Sequence, residues 1–269
     1  MNPDFSPSLA VERVRHEIRV RRLQVQRIDT VSPHFLRIRF AGDALRDFVS
    51  ASFDDHAKLM LPARPGVPLV LPQPGPDGLS LPPGAEKPVM RDYTPRQFDR
   101  AAGTLDIEFV LHGDGVASRW AEAAKPGDEV GLGGPRGSFV VPTGFDWHLL
   151  VGDESALPAI ARRLEELPET AQAITVIETA DAGDRRAFTS RARVQTHWVD
   201  TGPTDALARA VAALKLPVGE GFAWAGGEAA SIAAVREVLV GAHGLHKSRV
   251  RASAYWKRGS VGHHETLGG

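Results

Sequence analysis

The sequence of 269 residues contains no cysteine. Disulfide bonds, thiolate metal sites and cysteine-bound iron–sulfur clusters are therefore excluded. This composition fits a reducing compartment, and we expect the protein to be cytoplasmic. No run of about 18 apolar residues is present, so no membrane span is expected. The first 15 residues also lack the apolar stretch of a signal peptide.

An excess of charge of one sign is also missing, because the formal net charge is only -1. Without a global basic field, no nucleic acid is expected as a partner. Apolar residues make up 42% of the chain and charged residues 24%, which is ordinary for a globular protein. The sequence has no internal repeat, and its length suits two domains of roughly 100–150 residues each.

The first half of the chain is predicted to form short β-strands, because apolar and polar residues alternate between glycine and proline turns. The predicted strands are 18–20, 23–25, 36–40, 57–61, 89–98, 105–111, 128–132 and 138–141, with a bulge at Arg21 and Arg22 and a turn at 100–103. Residues 62–88 are rich in proline and glycine, which predicts a long surface loop. Strands at this spacing predict a small antiparallel barrel or sandwich.

The second half alternates predicted strands with predicted helices. The strands are 147–151, 174–177, 194–199, 222–225 and 250–255, and the helices are 155–167, 204–214 (with Thr204 as N-cap) and 228–241. This order predicts a parallel sheet covered on both faces. The expected fold is therefore a β-barrel domain, residues 1–144, followed by an α/β domain, residues 145–269. Such a pairing favours one cofactor in the barrel and another on the sheet.

Two segments of the first half carry groups suited to phosphate. A strand through Arg91-Asp92-Tyr93-Thr94 would place Arg91 and Tyr93 on one face, where Arg91 could bind a pyrophosphate. The segment from His112 runs through Gly113 and Gly115 into a short helix, whose first amides could bind an anion. An ordinary edge strand and an ordinary strand–turn–helix remain the alternatives.

Three segments follow strands of the predicted parallel sheet, at the edge where cofactors bind. They are Gly152-Asp153-Glu154-Ser155, Gly226-Gly227-Glu228 and Tyr255-Trp256-Lys257-Arg258. The carboxylates of Asp153 and Glu154 would lie where a pyrophosphate binds, so we expect loose, transient binding of a nicotinamide nucleotide. A simple helix cap is the alternative for the first segment.

The choice between NADH and NADPH depends on residues after the second strand of the sheet. Glu178 could bind ribose hydroxyls, which favours NADH. Arg185 and Arg186 could instead bind a 2′-phosphate, and NADPH is the expected choice.

In this order, the segments resemble the siderophore-interacting protein family, within the ferredoxin–NADP reductase superfamily. The resemblance covers residues 17–262 and is carried by Arg-x-Tyr-Thr at 91–94, His-Gly-x-Gly-x-Ala-Ser-Arg-Trp at 112–120, Gly-Asp-Glu-Ser-Ala-Leu-Pro-Ala at 152–159 and Tyr-Trp-Lys-x-Gly at 255–259. Asp92 and Pro95 are less common choices in the first motif, and Ser155 replaces the usual threonine. The resemblance implies a flavin-binding barrel followed by a nicotinamide-nucleotide domain.

The resemblance further implies non-covalent FAD and, as hydride donor, NADPH or NADH. The matching FAD-binding residues are Arg91, Tyr93, Thr94, His112, Gly115, Val116, Ala117 and Ser118, with Thr94 near flavin N5. The nucleotide would bind near Gly152, Asp153, Glu154, Ser155, Gly226, Gly227, Glu228 and Trp256. No side chain is expected as a catalytic acid or base, because the flavin carries the electrons.

The electron acceptor that the resemblance implies is a ferric siderophore, which releases iron(II) after reduction. Basic residues would contact the anionic chelate, and the matching candidates are Lys58, Arg136, Lys257 and Arg258, each of which could equally be an ordinary solvated charge. No resident metal site is expected, since His263 and His264 are typical of a solvated tail. A monomer is expected.

Three rival functions stay open. The first is a flavin reductase that acts on free flavin, a quinone or a redox protein. The second is a flavoprotein reduced by ferredoxin rather than by a nucleotide, which the acidic Gly152–Ala159 segment favours. The third is a non-catalytic ferric-siderophore carrier, which would bind the chelate without flavin.

Overall fold

A computed structural model describes residues 9–75, 78–113, 115–260 and 265–266. The chain divides into a barrel unit, Glu12–Val140, and a sheet unit that joins Met1–Val11 to Val141–Gly269. Each unit has a hydrophobic core of its own. Within the described ranges, none of the helices has the length and apolar character that crossing a bilayer requires.

Seven strands of the barrel unit form one antiparallel sheet in the order β7-β4-β10-β2-β3-β9-β8. These strands are β2 (Val20–Ser32), β3 (Phe35–Ala41), β4 (Ala57–Leu61), β7 (Val89–Tyr93), β8 (Gln97–Asp99), β9 (Thr104–Val110) and β10 (Glu129–Gly133). Two smaller pairs accompany them: β1 (Glu12–Arg15) with β11 (Gly137–Val140), and β5 (Gln73–Gly75) with β6 (Gly78–Ser80). The unit has one α-helix, α1 (Val116–Ala123), and a 3-10 turn, Asp43–Leu45, among its described residues.

The sheet must curl into a barrel because its two edge strands are almost consecutive in sequence. Strand β7 ends at Tyr93 and β8 begins at Gln97, although they lie at opposite ends of the strand order. In a flat sheet these edges would be about 29 Å apart, whereas four residue steps span at most about 15 Å. The Tyr93 ring also lies 4.6 Å from the Phe109 ring of β9, between centroids. The predicted antiparallel barrel is confirmed.

Helix α1 packs on one wall of the barrel core. Its Ala117 and Ala121 are buried with the apolar side chains of the strands. The Trp120 ring stacks on Phe40, with 6.3 Å between centroids, and lies tilted against Phe109 at 5.9 Å. These contacts fix the direction of the helix and therefore the position of its first turn.

The predicted bulge at Arg21 and Arg22 is wrong. Strand β2 pairs with β10 in unbroken register through both residues, and its bulges lie further along, against β3. Arg21 points inward because its guanidinium donates hydrogen bonds of 2.8 Å to Asp47 Oδ1 and to the Ala44 carbonyl. Arg22 points outward, so two consecutive arginines fit a regular strand.

The strands of the barrel unit differ from the predicted ones at three other places. The predicted strand 89–98 is interrupted at 94–96, where the chain passes from one barrel edge to the other. The predicted loop 62–88 contains the β5–β6 hairpin. Strand β1 was not predicted, because its sequence of Glu, Arg, Val and Arg has one apolar residue and no clear alternation.

The sheet unit has six strands in the order β14-β13-β12-β15-β16-β17, parallel except for the last. They are β12 (Trp147–Gly152), β13 (Gln172–Thr179), β14 (Arg193–Asp200), β15 (Gly221–Glu228), β16 (Val250–Trp256) and β17 (Glu265–Thr266). The helices are α2 (Leu157–Glu166), α3 (Ala206–Ala212) and α4 (Ala229–Glu237). Every residue of β12 is buried, as expected for a strand covered on both faces.

The helix starts differ in detail from the predicted ones. The N-cap of α3 is Asp205, so the predicted cap at Thr204 is wrong. A 3-10 turn, Glu154–Ala156, precedes α2. Glu228 is the N-cap of α4, and this helix continues into a π-helical turn, Val238–Ala242.

A buried arginine of the sheet unit contacts Leu9, at the start of the described chain. Arg249 donates a hydrogen bond of 2.9 Å to the Leu9 carbonyl and another of 3.0 Å to Glu220. Its guanidinium also lies over the Phe145 ring, 4.8 Å from the centroid. The barrel unit then begins at Glu12, which pairs with Val140 at the other end of the unit.

Candidate functional site

The turn before α1 is shaped by two glycines. Gly113 adopts φ +77°, a left-handed conformation that favours glycine. At Gly115 a Cβ would lie 2.3 Å from His112 Cε1, so the imidazole packs where a side chain would be. The Ser118 hydroxyl is buried and accepts a hydrogen bond of 3.1 Å from the His112 amide. The predicted motif therefore folds as a tight turn that leads directly into the helix.

The start of α1 is open to an anion. Its N-cap, Gly115, has no side chain to bond the first amides, and the first turn contains no acidic residue. Asp114 lies outside the described residues. The amides of a first helical turn and the helix dipole both favour a negative group at such a position.

Arg91 and Tyr93 lie side by side on one face of β7. The register places them opposite Leu59 and Ala57 of β4, which confirms the predicted alternation. The Arg91 guanidinium donates 2.8 Å to the Met90 carbonyl, and among the residues that the structure describes it has no carboxylate partner. Its remaining donors are therefore free for a ligand phosphate.

The hydroxyl of Tyr93 stays protonated, because burial raises its pKa further above the ordinary value. Thr94 follows directly and is buried, 7% exposed, in the link between the barrel edges. The aromatic contacts Tyr93–Phe109 and Phe109–Trp120 connect this end of β7 to α1. Guanidinium donors without a carboxylate partner in the described chain, a helix start with a glycine N-cap and an aromatic ring fit a flavin dinucleotide.

Two predicted chelate contacts lie near one another in the barrel unit. Lys58 pairs in register with Gly133, three residues before Arg136. The Lys58 ammonium forms an ion pair of 2.8 Å with Asp92 of β7. Arg136 is exposed, and no carboxylate of the described chain pairs with it. Asp92 therefore partly neutralises Lys58, which leaves Arg136 as the freer cation.

At the carboxyl edge of the parallel sheet, Asp153 holds three strand ends together. Its Oδ1 accepts hydrogen bonds from the Ser155 amide, 2.9 Å, and from the Ser155 hydroxyl, 2.5 Å. Its Oδ2 accepts from the Glu228 amide and from Trp256 Nε1, both at 2.8 Å. Burial raises the pKa of Asp153, although these hydrogen bonds act to lower it.

Glu154 and Glu228 are also engaged within the protein. Glu154 Oε1 accepts from the Thr179 hydroxyl at 3.0 Å and from the Ala180 amide at 2.8 Å. Glu228 accepts from amides at the start of α4. The structure thus brings together the predicted segments 152–155 and 226–228 and Trp256, but their carboxylates bond to protein donors.

Glu178 lies close to this cluster. Burial raises its pKa, as do the charges of Asp153 and Glu154, whereas the charge of Arg258 acts to lower it. Arg258 is exposed, as is Lys257. Arg185 forms an ion pair with Asp200 at the end of β14. Arg258, predicted to contact the chelate, therefore lies near the acidic cluster, whereas Arg185, predicted to bind a 2′-phosphate, is paired with Asp200.

Gly152 admits no side chain. A Cβ there would lie 2.4 Å from the Gly226 carbonyl oxygen and 2.4 Å from the Ala156 Cβ. Because a backbone atom blocks the space, we expect Gly152→Ala to lower the free energy of unfolding by about 2 kcal/mol. Urea denaturation compared with Gly241→Ala, where a Cβ would have nothing within 4 Å, measures this. An equal loss in both variants would contradict the steric explanation.

Comparison with known proteins decides the family. Residues 24–139 match the model of the siderophore-interacting FAD-binding domain, and residues 145–259 match that of the siderophore-interacting protein. The chain belongs to the siderophore-interacting protein family. The N-terminal half of this siderophore-interacting protein is accordingly an FAD-binding domain, which agrees with the fit of the α1 start and Arg91.

Individual siderophore-interacting proteins and reductases resemble the chain over most of its length. The NADPH-dependent ferric-chelate reductase of Escherichia coli (strain K12) is 37% identical, over 91% of this chain and 96% of that protein. The ferric vibriobactin reductase ViuB of Vibrio cholerae is 34% identical, over 85% and 86%. The crystal structure of a siderophore utilization protein from T. fusca aligns with a TM-score of 0.87 at 34% identity, over 94% and 98%.

Sequence reasoning missed two features of the site. The first is the Lys58–Asp92 ion pair, for which the signal was an acid in the variable position of Arg-x-Tyr-Thr. The second is the use of Glu228 as a cap, for which the signal was an acid directly before a helix.

The described residues contain no group of three possible metal ligands, and His263 and His264 lie outside them.

Proposed function

We propose that the protein is an FAD-dependent reductase that takes hydride from NADPH and reduces ferric siderophores, so that iron(II) is released. The observation that carries this proposal is the open start of α1, connected to the unpaired Arg91 within the matched FAD-binding domain. The names of the E. coli and Vibrio relatives support the donor and the acceptor. In this proposal residues 1–144 bind flavin and residues 145–269 bind the nucleotide.

Each group of the barrel unit has a proposed task. FAD, once bound, supplies the conversion of a two-electron hydride into single electrons for iron. Arg91 and the amides of Val116 to Ser118 hold its diphosphate, and His112 with Gly115 shapes the turn that presents those amides. Tyr93 would provide an aromatic surface for the flavin, and Thr94 would contact the reactive edge of its ring. No side chain has to transfer a proton.

The anionic chelate is proposed to meet Arg136, with Lys58, Lys257 and Arg258 as further basic contacts. We expect Arg136→Ala to raise KM for an anionic ferric siderophore about tenfold, with kcat little changed, because one unpaired cation is lost. Steady-state kinetics at low salt measures this. Lys215→Ala, which removes another exposed cation, is the matched control. An unchanged KM in the Arg136 variant would remove Arg136 from the chelate contacts.

A flavoprotein that accepts electrons from ferredoxin is the second candidate. The observation that favours it is the pair of carboxylates, Asp153 and Glu228, at the turn before α2 and at the start of α4 in the sheet unit. For either function, we propose a cytoplasmic location and a monomeric state. Size-exclusion chromatography with light scattering tests the monomer.

The decisive experiment is anaerobic absorbance spectroscopy of the purified protein. We expect a bound-flavin spectrum that NADPH bleaches and that a ferric siderophore restores, with iron(II) trapped by a ferrous chelator. If NADPH leaves the flavin spectrum unchanged but reduced ferredoxin bleaches it, the electron donor is ferredoxin and not NADPH. Bleached flavin that turns over free flavin or quinone faster than any ferric chelate would change the acceptor.

A further inference from the structure

A carboxylate already occupies the start of α4. Glu228 Oε2 accepts hydrogen bonds of 2.8 Å from the Ala230 amide and 3.0 Å from the Ser231 amide. Its Oε1 accepts 3.3 Å from the Arg258 amide. These are the donors that a phosphate would otherwise take at a helix start.

Glu228 keeps its negative charge. Burial acts to raise its pKa, but the amide hydrogen bonds from Ser231, Arg258 and Ala230, with the charge of Arg258, outweigh burial and lower it. The residue is 8% exposed, so its charge acts in a partly dehydrated environment. Coulomb interactions there are stronger than in water.

The helix start before α2 is filled in the same way by Asp153, which caps the Glu154–Ala156 turn. The Glu228 amide itself donates to Asp153, so the two caps form one hydrogen-bonded cluster. The start of α1, by contrast, has a glycine N-cap and no acid in its first turn. The start of α1 therefore suits a diphosphate, whereas the turn before α2 and the start of α4 present carboxylates at the sheet edge.

We propose that Glu228 is a determinant of weak nucleotide affinity: its fixed charge at the α4 start repels the phosphates of NADPH and NADP+ and promotes release of the oxidised nucleotide. This inference rests on the proposed function for the identity of the nucleotide. The nucleotide phosphates then have no helix amides at α4, and their binding depends on other donors. The FAD diphosphate is not affected, because its proposed contacts lie in the barrel unit.

The test uses two substitutions in the FAD-loaded protein. Glu228→Ser keeps a helix cap through a neutral hydroxyl, and Glu228→Gln keeps a similar shape without the charge. Titration calorimetry with NADP+ at low ionic strength is expected to show Kd about tenfold lower for each variant than for the natural protein. The difference should shrink as salt is added, because the effect is electrostatic. Thermal melts check that both variants fold.

The matched control is Glu169→Gln, which removes an exposed carboxylate from the same unit. We expect this variant to keep the natural Kd. An unchanged or higher Kd in both Glu228 variants, or an equal decrease in the control, would overturn the role of Glu228. Bleaching of the natural protein by NADPH is recorded separately: its absence would overturn the donor assignment, whereas normal bleaching with an unchanged Kd overturns only this inference.

Discussion

Replacing Arg91 by alanine is expected to weaken FAD binding by about a hundredfold, equivalent to roughly 3 kcal/mol. Arg91 contributes charged donors that are not shared with a carboxylate of the described chain. A diphosphate that bonds to those donors in two places would lose both bonds together. Arg91→Lys should recover only part of the affinity, because lysine keeps the charge without the planar pair of donors. Flavin fluorescence during titration of the apoprotein measures the dissociation constant.

The control for this prediction is Arg27→Ala. Arg27 is an exposed arginine of β2 that forms an ion pair of 2.8 Å with Asp29. Its loss should leave the affinity for FAD unchanged. If Arg91→Ala bound FAD as tightly as the natural protein, the proposed diphosphate contact would have to be abandoned.

Acidification is expected to start destabilising the sheet unit near pH 6.5, which is above the pH range in which ordinary carboxylates titrate. His148 of β12 is 1% exposed, and burial, with the nearby charge of Arg163, lowers its pKa to about 3. The unfolded chain takes up a proton on this histidine below about pH 6.5, whereas the folded chain does not. Stability is therefore complete above that pH and falls by about 1.4 kcal/mol per pH unit towards pH 3. The full loss is about 5 kcal/mol.

Urea denaturation at several pH values between 7 and 4 tests the effect of His148. Four of the five tryptophans lie in the sheet unit, so their fluorescence reports mainly on that unit. We expect His148→Leu to reduce the slope of the unfolding free energy against pH by about 1.4 kcal/mol per pH unit, which corresponds to one proton. His246→Asn, at an exposed histidine that caps a 3-10 turn, should keep the natural slope. Equal slopes in the natural protein and the Leu variant would exclude His148 as the source.

The barrel and the parallel sheet could be predicted from sequence because their strands have clear apolar periods. Leu36–Phe40 alternates, and in the structure Ile38 and Phe40 face the core. Arg21 could not be placed in this way. Its burial depends on Asp47 and the Ala44 carbonyl, which lie more than 20 residues further along the chain. Local pattern alone treated it as an outward residue that disturbs the strand.

The position of the candidate site was predictable, but the use of its charges was not. The sequence places Asp153 and Glu228 at strand ends of one sheet edge, and they do meet there. Whether a carboxylate faces a ligand or bonds to the protein depends on donors that the fold supplies. For Asp153 those donors include Trp256 Nε1, about a hundred residues away. Loose nucleotide binding stays a prediction, and Glu228 is proposed as a further source of repulsion.

The pairing of Glu12 with Val140 has a consequence for how such proteins can be recombined. The chain enters and leaves the barrel unit on neighbouring strands, roughly 5 Å apart. A domain whose two ends lie close together can be removed, or exchanged for a homologous domain, without moving the flanking residues of the remaining chain. Barrel units from relatives are therefore expected to be exchangeable between Val11 and Val141, and such chimaeric enzymes would show how much of the acceptor preference the barrel unit carries.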